Sequence, residues 1–238
     1  VDGSSITFIS DTDTNDNTPI TTGTGYLMMR DGTHFRIEDG LVKWIRDRKG
    51  NTINYDYEIY EGYRNRIKHI TDALGHQITI NYDVNDPQRG ICDQIILPGV
   101  GASRTITITK TALGNALRPD QSPQPKTYGQ LFPEINLLNS SSQFNPSTIV
   151  SAVYLPNGQS YKFYYNSYGE LARIELPTGG AVEYDYQGGL TNGADSGSIL
   201  SNNYIYRRVV TKRAFIDALN TNSLLSTTTY SRPESYAG

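Results

Sequence analysis

The sequence predicts an all-β protein built of consecutive antiparallel hairpins, interrupted by an irregular Pro-rich insertion. Three observations predict it. Apolar and polar residues alternate at period two, as in Thr105-Ile106-Thr107-Ile108-Thr109 and Val182-Glu183-Tyr184-Asp185-Tyr186, which is the period of a strand. Glycines 158, 169 and 179 stand 11 and 10 residues apart, leaving room for a strand of about five to seven residues between turns. The chain also repeats itself. An offset of 25 places Val42 on Ile67, Ile45 on Ile70, Asp47 on Asp72, Gly50 on Gly75 and Tyr57 on Tyr82, and an offset of 21 places Val153 on Ile174, Pro156 on Pro177, Gly158 on Gly179 and Tyr165 on Tyr186.

In chain order, residues 1–25 hold a strand from Ser5 to Ile9 and a polar loop, and the next strand runs from Tyr26 to Arg30. Residues 26–110 carry the first repeats. Their turns, Asp47-Arg48-Lys49-Gly50 and Asp72-Ala73-Leu74-Gly75, place Asp first and Gly fourth. The Asx side chain bonds onward to the backbone and Gly accepts positive φ. Residues 111–147 are too rich in proline (119, 123, 125, 133 and 146) and small polar residues for a sheet interior. We expect them to pack over the sheet through Leu131, Phe132 and Ile135.

Residues 148–187 carry the second repeats, with Leu155-Pro156-Asn157-Gly158 and Leu176-Pro177-Thr178-Gly179 as turns and Tyr161-Lys162-Phe163-Tyr164-Tyr165 as a strand. Residues 188–238 form a loop and a terminal hairpin. Arg213–Leu219 has the length of two helical turns, but it continues the β-branched run from Tyr204 and meets Asn220-Thr221-Asn222. The preferred reading is a strand returning through Ser226–Tyr230. One repeat is two strands and two turns, and it buries little unless its neighbours continue the sheet.

The 238 residues carry 21 Lys+Arg against 24 Asp+Glu, a net charge of −3, with 19% charged. That balance argues against nucleic-acid binding or a polybasic membrane surface. One Cys excludes a disulfide framework within the chain and a four-thiolate metal site. No apolar run approaches the roughly 20 residues of a membrane helix. The start Val1-Asp2-Gly3-Ser4 has neither an initiator Met nor a signal-peptide pattern, so we expect a fragment or processed piece. Tyrosines number 18 against six Phe and one Trp. A ring that is apolar with a hydroxyl seeking a partner suits a half-packed, half-wet surface.

The unit Tyr165-Asn166-Ser167-Tyr168-Gly169-Glu170-Leu171-Ala172-Arg173-Ile174, followed by Leu176-Pro177-Thr178-Gly179-Gly180 and Tyr184-Asp185-Tyr186, resembles the YD repeat of RHS proteins. So does Ile45-Arg46-Asp47-Arg48-Lys49-Gly50-Asn51-Thr52-Ile53 running into Tyr55-Asp56-Tyr57. The resemblance spans residues 26–110 and 148–187. It implies a large bacterial secreted or cell-surface protein whose repeats spiral as a curved sheet into a hollow shell enclosing a C-terminal effector, often a toxin. Related repeats in animal teneurins serve adhesion. On this resemblance the partners are the rest of the shell and its effector; from the residues themselves we expect no membrane insertion, no cofactor and no catalytic residue. The family's shell ends in a self-cleaving site on paired Asp-Pro-x-Gly segments. Here Asp86-Pro87-Gln88-Arg89 lacks the Gly and the partner, so any such site and effector are expected beyond Gly238.

Other candidates are weighed against plain structure. His34, His69 and His76 are the histidines; His69 and His76 flank Asp72 across a turn, and without further convergent ligands a solvated turn is the reading. Cys92 reads as a small packed hydrophobe. Asp11–Asn17 matches the first ligand positions of a calcium loop but has Asp16 where Gly belongs and Thr22 where Glu belongs, which leaves a polar hairpin loop with, at most, a weak ion. Glu170, Glu175, Glu183 and Asp185 read as the polar face opposite the tyrosines rather than a glycosidase pair. Asn139-Ser140-Ser141 is a formal sequon with weight only in a eukaryotic secretory setting. Tyr161, Tyr165, Tyr184 and Tyr186 remain the binding candidates: rings that could stack on glycans in an adhesion module, or, as preferred, pair across strands inside a wall.

Overall fold

The computed structural model describes residues 6–11, 23–62, 64–119, 124–132, 141–190 and 205–231. It is all-β: fifteen strands form one open sheet whose spatial order is the order of the chain. The chain gathers into two compact units, one of residues 1–85 and 93–106, the other of 86–92 and 107–238.

The first unit holds β1 (Thr7–Ser10), β2 (Gly25–Met28), β3 (His34–Glu38), β4 (Leu41–Arg46), β5 (Thr52–Tyr60), β6 (Arg64–Thr71) and nearly all of β7 (Gln77–Asp86). The hairpins β4–β5 and β6–β7 are copies. Each ladder has three residue pairs, closed by Arg46↔Thr52 or Thr71↔Gln77. In the turns, Asp47 Oδ1 accepts the N–H groups of Lys49 and Asn51, and Asp72 Oδ1 accepts those of Leu74 and His76. Gly50 and Gly75 follow at φ +91° and +82°, a left-handed conformation that costs a residue with Cβ roughly 1–2 kcal/mol. The strand expected over Tyr26–Arg30 ends at Met28. Asp31 accepts the Thr33 N–H, and Met29 bonds Thr33 and Gly32, so the turn claims Met29 and Arg30.

Strands β8 (Gly90–Leu97) and β9 (Arg104–Thr111) contribute residues to both units. The second unit continues with β10 (Ile149–Tyr154), β11 (Ser160–Tyr165), β12 (Leu171–Glu175), β13 (Ala181–Leu190), β14 (Ile205–Phe215) and β15 (Leu224–Thr229). Hairpins β10–β11 and β12–β13 repeat the three-pair ladder. Their turns use Pro156 and Pro177 to preset φ, with Gly158 and Gly179 bonded back to Leu155 and Leu176. β14 and β15 form the expected hairpin, paired from Thr211↔Thr229 to Phe215↔Leu224.

The insertion packs on this second unit. A 3-10 turn at Leu113–Asn115 is followed by residues 116–118, whose backbone bonds the last residue of β11: the Tyr165 N–H donates to the Ala116 carbonyl, and the Arg118 N–H to the Tyr165 carbonyl. A four-residue helix, α1 (Tyr128–Leu131), is fixed by a reciprocal capping box between Thr127 and Gln130. Leu131 is buried and Phe132 meets Tyr168 edge-on; Ile135 lies outside the described residues. Every buried hydrophobic residue among the described ones belongs to this unit: Leu113, Ala116 and Leu131 from the insertion, Ala152, Ala172 and Ala181 from the repeat strands, and Cys92. Alanine on the sheet and leucine above it make a small core, in keeping with a composition poor in large aliphatics.

Candidate functional site

The repeat tyrosines are positioned by a shared device. Tyr57 donates its hydroxyl to the Val42 carbonyl, Tyr82 to Ile67, Tyr165 to Val150 and Tyr186 to Leu171, at 2.7–2.9 Å and always fifteen residues back. Each bond lies past the end of a three-pair ladder, where the two strands of the hairpin diverge, and the phenol spans the gap. Opposite Tyr57, Tyr165 and Tyr186 the following strand carries a β-bulge, with Lys68, Ala172 and Val210 as the extra residues. The extra residue belongs to the following strand, which bends there, while the tyrosine reaches back across its own hairpin. Burial holds these three phenols above their ordinary pKa, so they remain donors.

The clasps are linked. Tyr57 lies opposite Ile67, whose carbonyl receives Tyr82. Tyr165 lies opposite Leu171, whose carbonyl receives Tyr186. In each unit, therefore, the residue facing one clasp accepts the next.

Of the four candidate rings, Tyr165 and Tyr186 are clasps. Tyr161 faces Val153 across the β10–β11 ladder and stacks on Phe163, two residues along its own strand, with centroids 6.5 Å apart. Tyr184 pairs with Lys212 in register. All four are half-buried.

The alternate positions carry charge. Arg173, Glu183 and Arg213 are in register across β12, β13 and β14. Arg173 binds Glu183 and Glu175, Lys162 binds Glu175, and Arg213 binds Glu183 and both oxygens of Asp185. Arg118 reaches in from the insertion, donating to Asp185 at 2.9 Å and to the carbonyls of Tyr184 and Ala172. Burial raises the Asp185 carboxyl, but its hydrogen bonds to Arg213 and Arg118 outweigh that and hold it below the ordinary range. Glu170 forms a fork with Arg207, which lies 3.5 Å over the Tyr168 ring. Glu175, Glu183 and Asp185 thus stand as ion-paired members of the polar face. Sequence reasoning missed Arg118, because a lone Arg before Pro119 shows no periodicity.

The remaining candidates stay apart. His76 Nδ1 lies 2.8 Å from Asp72 in an exposed turn, and His69 Nδ1 is 3.2 Å from the Thr79 hydroxyl. His34 sits in β3 opposite Met28 and Arg46. Cys92 is fully buried. Of the Asp11–Asn17 loop, Asp11 binds Arg36 at 2.7 Å, and residues 12–17 lie outside the described residues, as does Asn139. No group of three or more His, Cys, Asp or Glu able to hold a metal occurs among the described residues. No helix among them is long and apolar enough to cross a membrane.

No family model and no curated protein matches this chain. Among solved structures, it is similar to a porin-like protein from Bacteroides uniformis, with 16% identity and a TM-score of 0.36 over 82% of this chain and 73% of that one. It is also similar to the Photorhabdus luminescens Tc holotoxin pore, with 8% identity and a TM-score of 0.27 over 89% of this chain. The matched stretch amounts to 11% of that longer chain.

Proposed function

We propose that this chain is a non-catalytic wall segment of an RHS/YD-repeat shell, secreted or displayed at a bacterial cell surface. Its partners on this reading are the rest of the shell and a C-terminal effector that the shell encloses or presents. The observation that carries the proposal is the tyrosine clasp, present with the same fifteen-residue reach in four hairpins. A catalytic protein concentrates its unusual groups at one place, whereas here the same fastening recurs in each copy. The hydroxyls of two of the candidate binding rings are already engaged with backbone, and the carboxylates beside them with arginines. Such side chains favour a sheet that extends by repetition and keeps both faces partly wet.

The test uses the full-length gene product. A shell reading expects its C-terminal portion to resist protease until the repeats are denatured, and to be digested at once when freed from them. Immediate digestion within the intact protein would refute it. A glycan-array signal abolished by Tyr161→Ala and Tyr184→Ala, in protein that still folds, would replace the wall reading with an adhesion module.

A further inference from the structure

An apolar groove of about 650 Å³ lies in the first unit, within the range of small-ligand sites. Its floor is Ile53, Ile70 and Ile78 from β5, β6 and β7, with Leu97 beside them. Ile70 and Ile78 are in register. The loop between β8 and β9 forms one wall. Gly99 packs so tightly that a Cβ there would meet the Ala102 carbonyl at 2.2 Å, and Gly101 has φ +85°. The result displays Val100 with its side chain fully exposed beside an apolar floor.

The rim carries two charges, the Asp72 carboxylate and the Arg104 guanidinium. Asp72 spends both oxygens on its own turn, accepting the Leu74 and His76 N–H groups and meeting His76 Nδ1. Arg104 differs. Among the described residues its guanidinium has a single polar contact, the Pro98 carbonyl at 3.4 Å. A guanidinium beside an apolar trough, with no carboxylate of its own, complements an anionic head on an aliphatic body.

A peptide is a poorer fit than a simple chain. An added strand needs open backbone groups, and β5 and β6 are paired on both sides. Three neighbouring strands span roughly 10 Å, the reach of a medium-length alkyl chain. We propose that this groove binds a single-chain aliphatic carboxylate, with the chain across Ile53, Ile70 and Ile78 and the head group on Arg104. The site stands independently of the wall reading.

Calorimetric titration of the 238-residue chain with decanoate, kept below its micelle concentration, tests it. We expect saturable binding of one molecule, weakened about tenfold by Arg104→Gln. Val100→Glu, which sets a like charge beside the head group at an exposed position, should weaken it as well. Hexanoate should bind at least tenfold more weakly, and so should decyltrimethylammonium. Equal affinity for the cationic and anionic chains, indifference to Arg104→Gln, or no saturable binding would each overturn the proposal. Unchanged urea midpoints for both variants would exclude misfolding as the cause of any loss.

Discussion

Tyr186 donates its hydroxyl to the carbonyl of Leu171 at 2.9 Å, and Leu171 stands opposite Tyr165, which makes the same bond to Val150. Four strands are thereby fastened by two side chains where their ladders part. The backbone ladders of both hairpins stop before these carbonyls, and the phenols supply the fastening there.

Removing one hydroxyl should cost what one such bond contributes. Tyr186→Phe or Tyr165→Phe is expected to lower unfolding free energy by about 1 kcal/mol, read as a lower urea midpoint at unchanged slope. Tyr186→Ala also loses the half-buried ring and should cost about 2–3 kcal/mol. Tyr161→Phe, whose ring contact survives, should stay within about 0.5 kcal/mol. Because Tyr165 faces the acceptor of Tyr186, the double Phe variant should depart from additivity. Strict additivity would show the clasps to be independent.

The clasps also set an alkaline limit. Burial raises the phenols of Tyr57, Tyr165 and Tyr186. Their neutral form is favoured in the folded state, so this contribution is complete below the unfolded value near 10 and is lost as pH rises through the folded values. Urea midpoints should hold level up to about pH 9.5 and fall above it. The fall should be shallower in the Tyr165→Phe/Tyr186→Phe variant.

Much of this was legible in the sequence, for a physical reason. Turns are local: Asp47, Asp72 and Asn166 each bond to backbone within four residues, so their chemistry is written in adjacent letters. The repeat offsets found Tyr57 with Tyr82 and Tyr165 with Tyr186, and these are the residues that share a role. What the offsets could not supply was the role itself. A bulge placed opposite Asp56/Tyr57 or Asp185/Tyr186 depends on pairing with the next strand. Arg118 was illegible because its partners lie 54 to 67 residues away. The groove under Val100 was hidden similarly, since it joins Ile53 to a loop almost fifty residues later.

The charged face predicts an acid limit. The Asp185 carboxyl is held below its ordinary value by Arg213 and Arg118, against the opposing effect of burial. A depressed carboxyl contributes stability that is complete above the unfolded value of about 3.9 and is lost as pH falls through the folded value. Stability should therefore drop below about pH 4, and Asp185→Asn should be less stable at pH 7 with a flatter acid limb. An acid limb identical to that of the parent protein would remove Asp185 from the explanation.

Arg118 is the bolt that holds the insertion. Its side chain is 4% exposed and, among the described residues, donates to the Ala172 and Tyr184 carbonyls and to Asp185, on two strands. A planar guanidinium can serve all three at fixed angles, whereas an ammonium presents a compact point charge. Arg118→Ala leaves Asp185 with Arg213 but strips two carbonyls of a charged donor. We expect a loss of about 2–3 kcal/mol. The loss should be local before it is global, because Leu113, Ala116 and Leu131 are buried in the insertion that Arg118 fastens. Hydrogen exchange should accordingly quicken across residues 113–118 and 127–132 while the β4–β5 and β6–β7 hairpins exchange as before. Arg118→Lys should restore less than half of the lost stability, since one ammonium cannot reproduce the fork. Full rescue by lysine would mean that charge, rather than the three-point geometry, secures the insertion to the sheet.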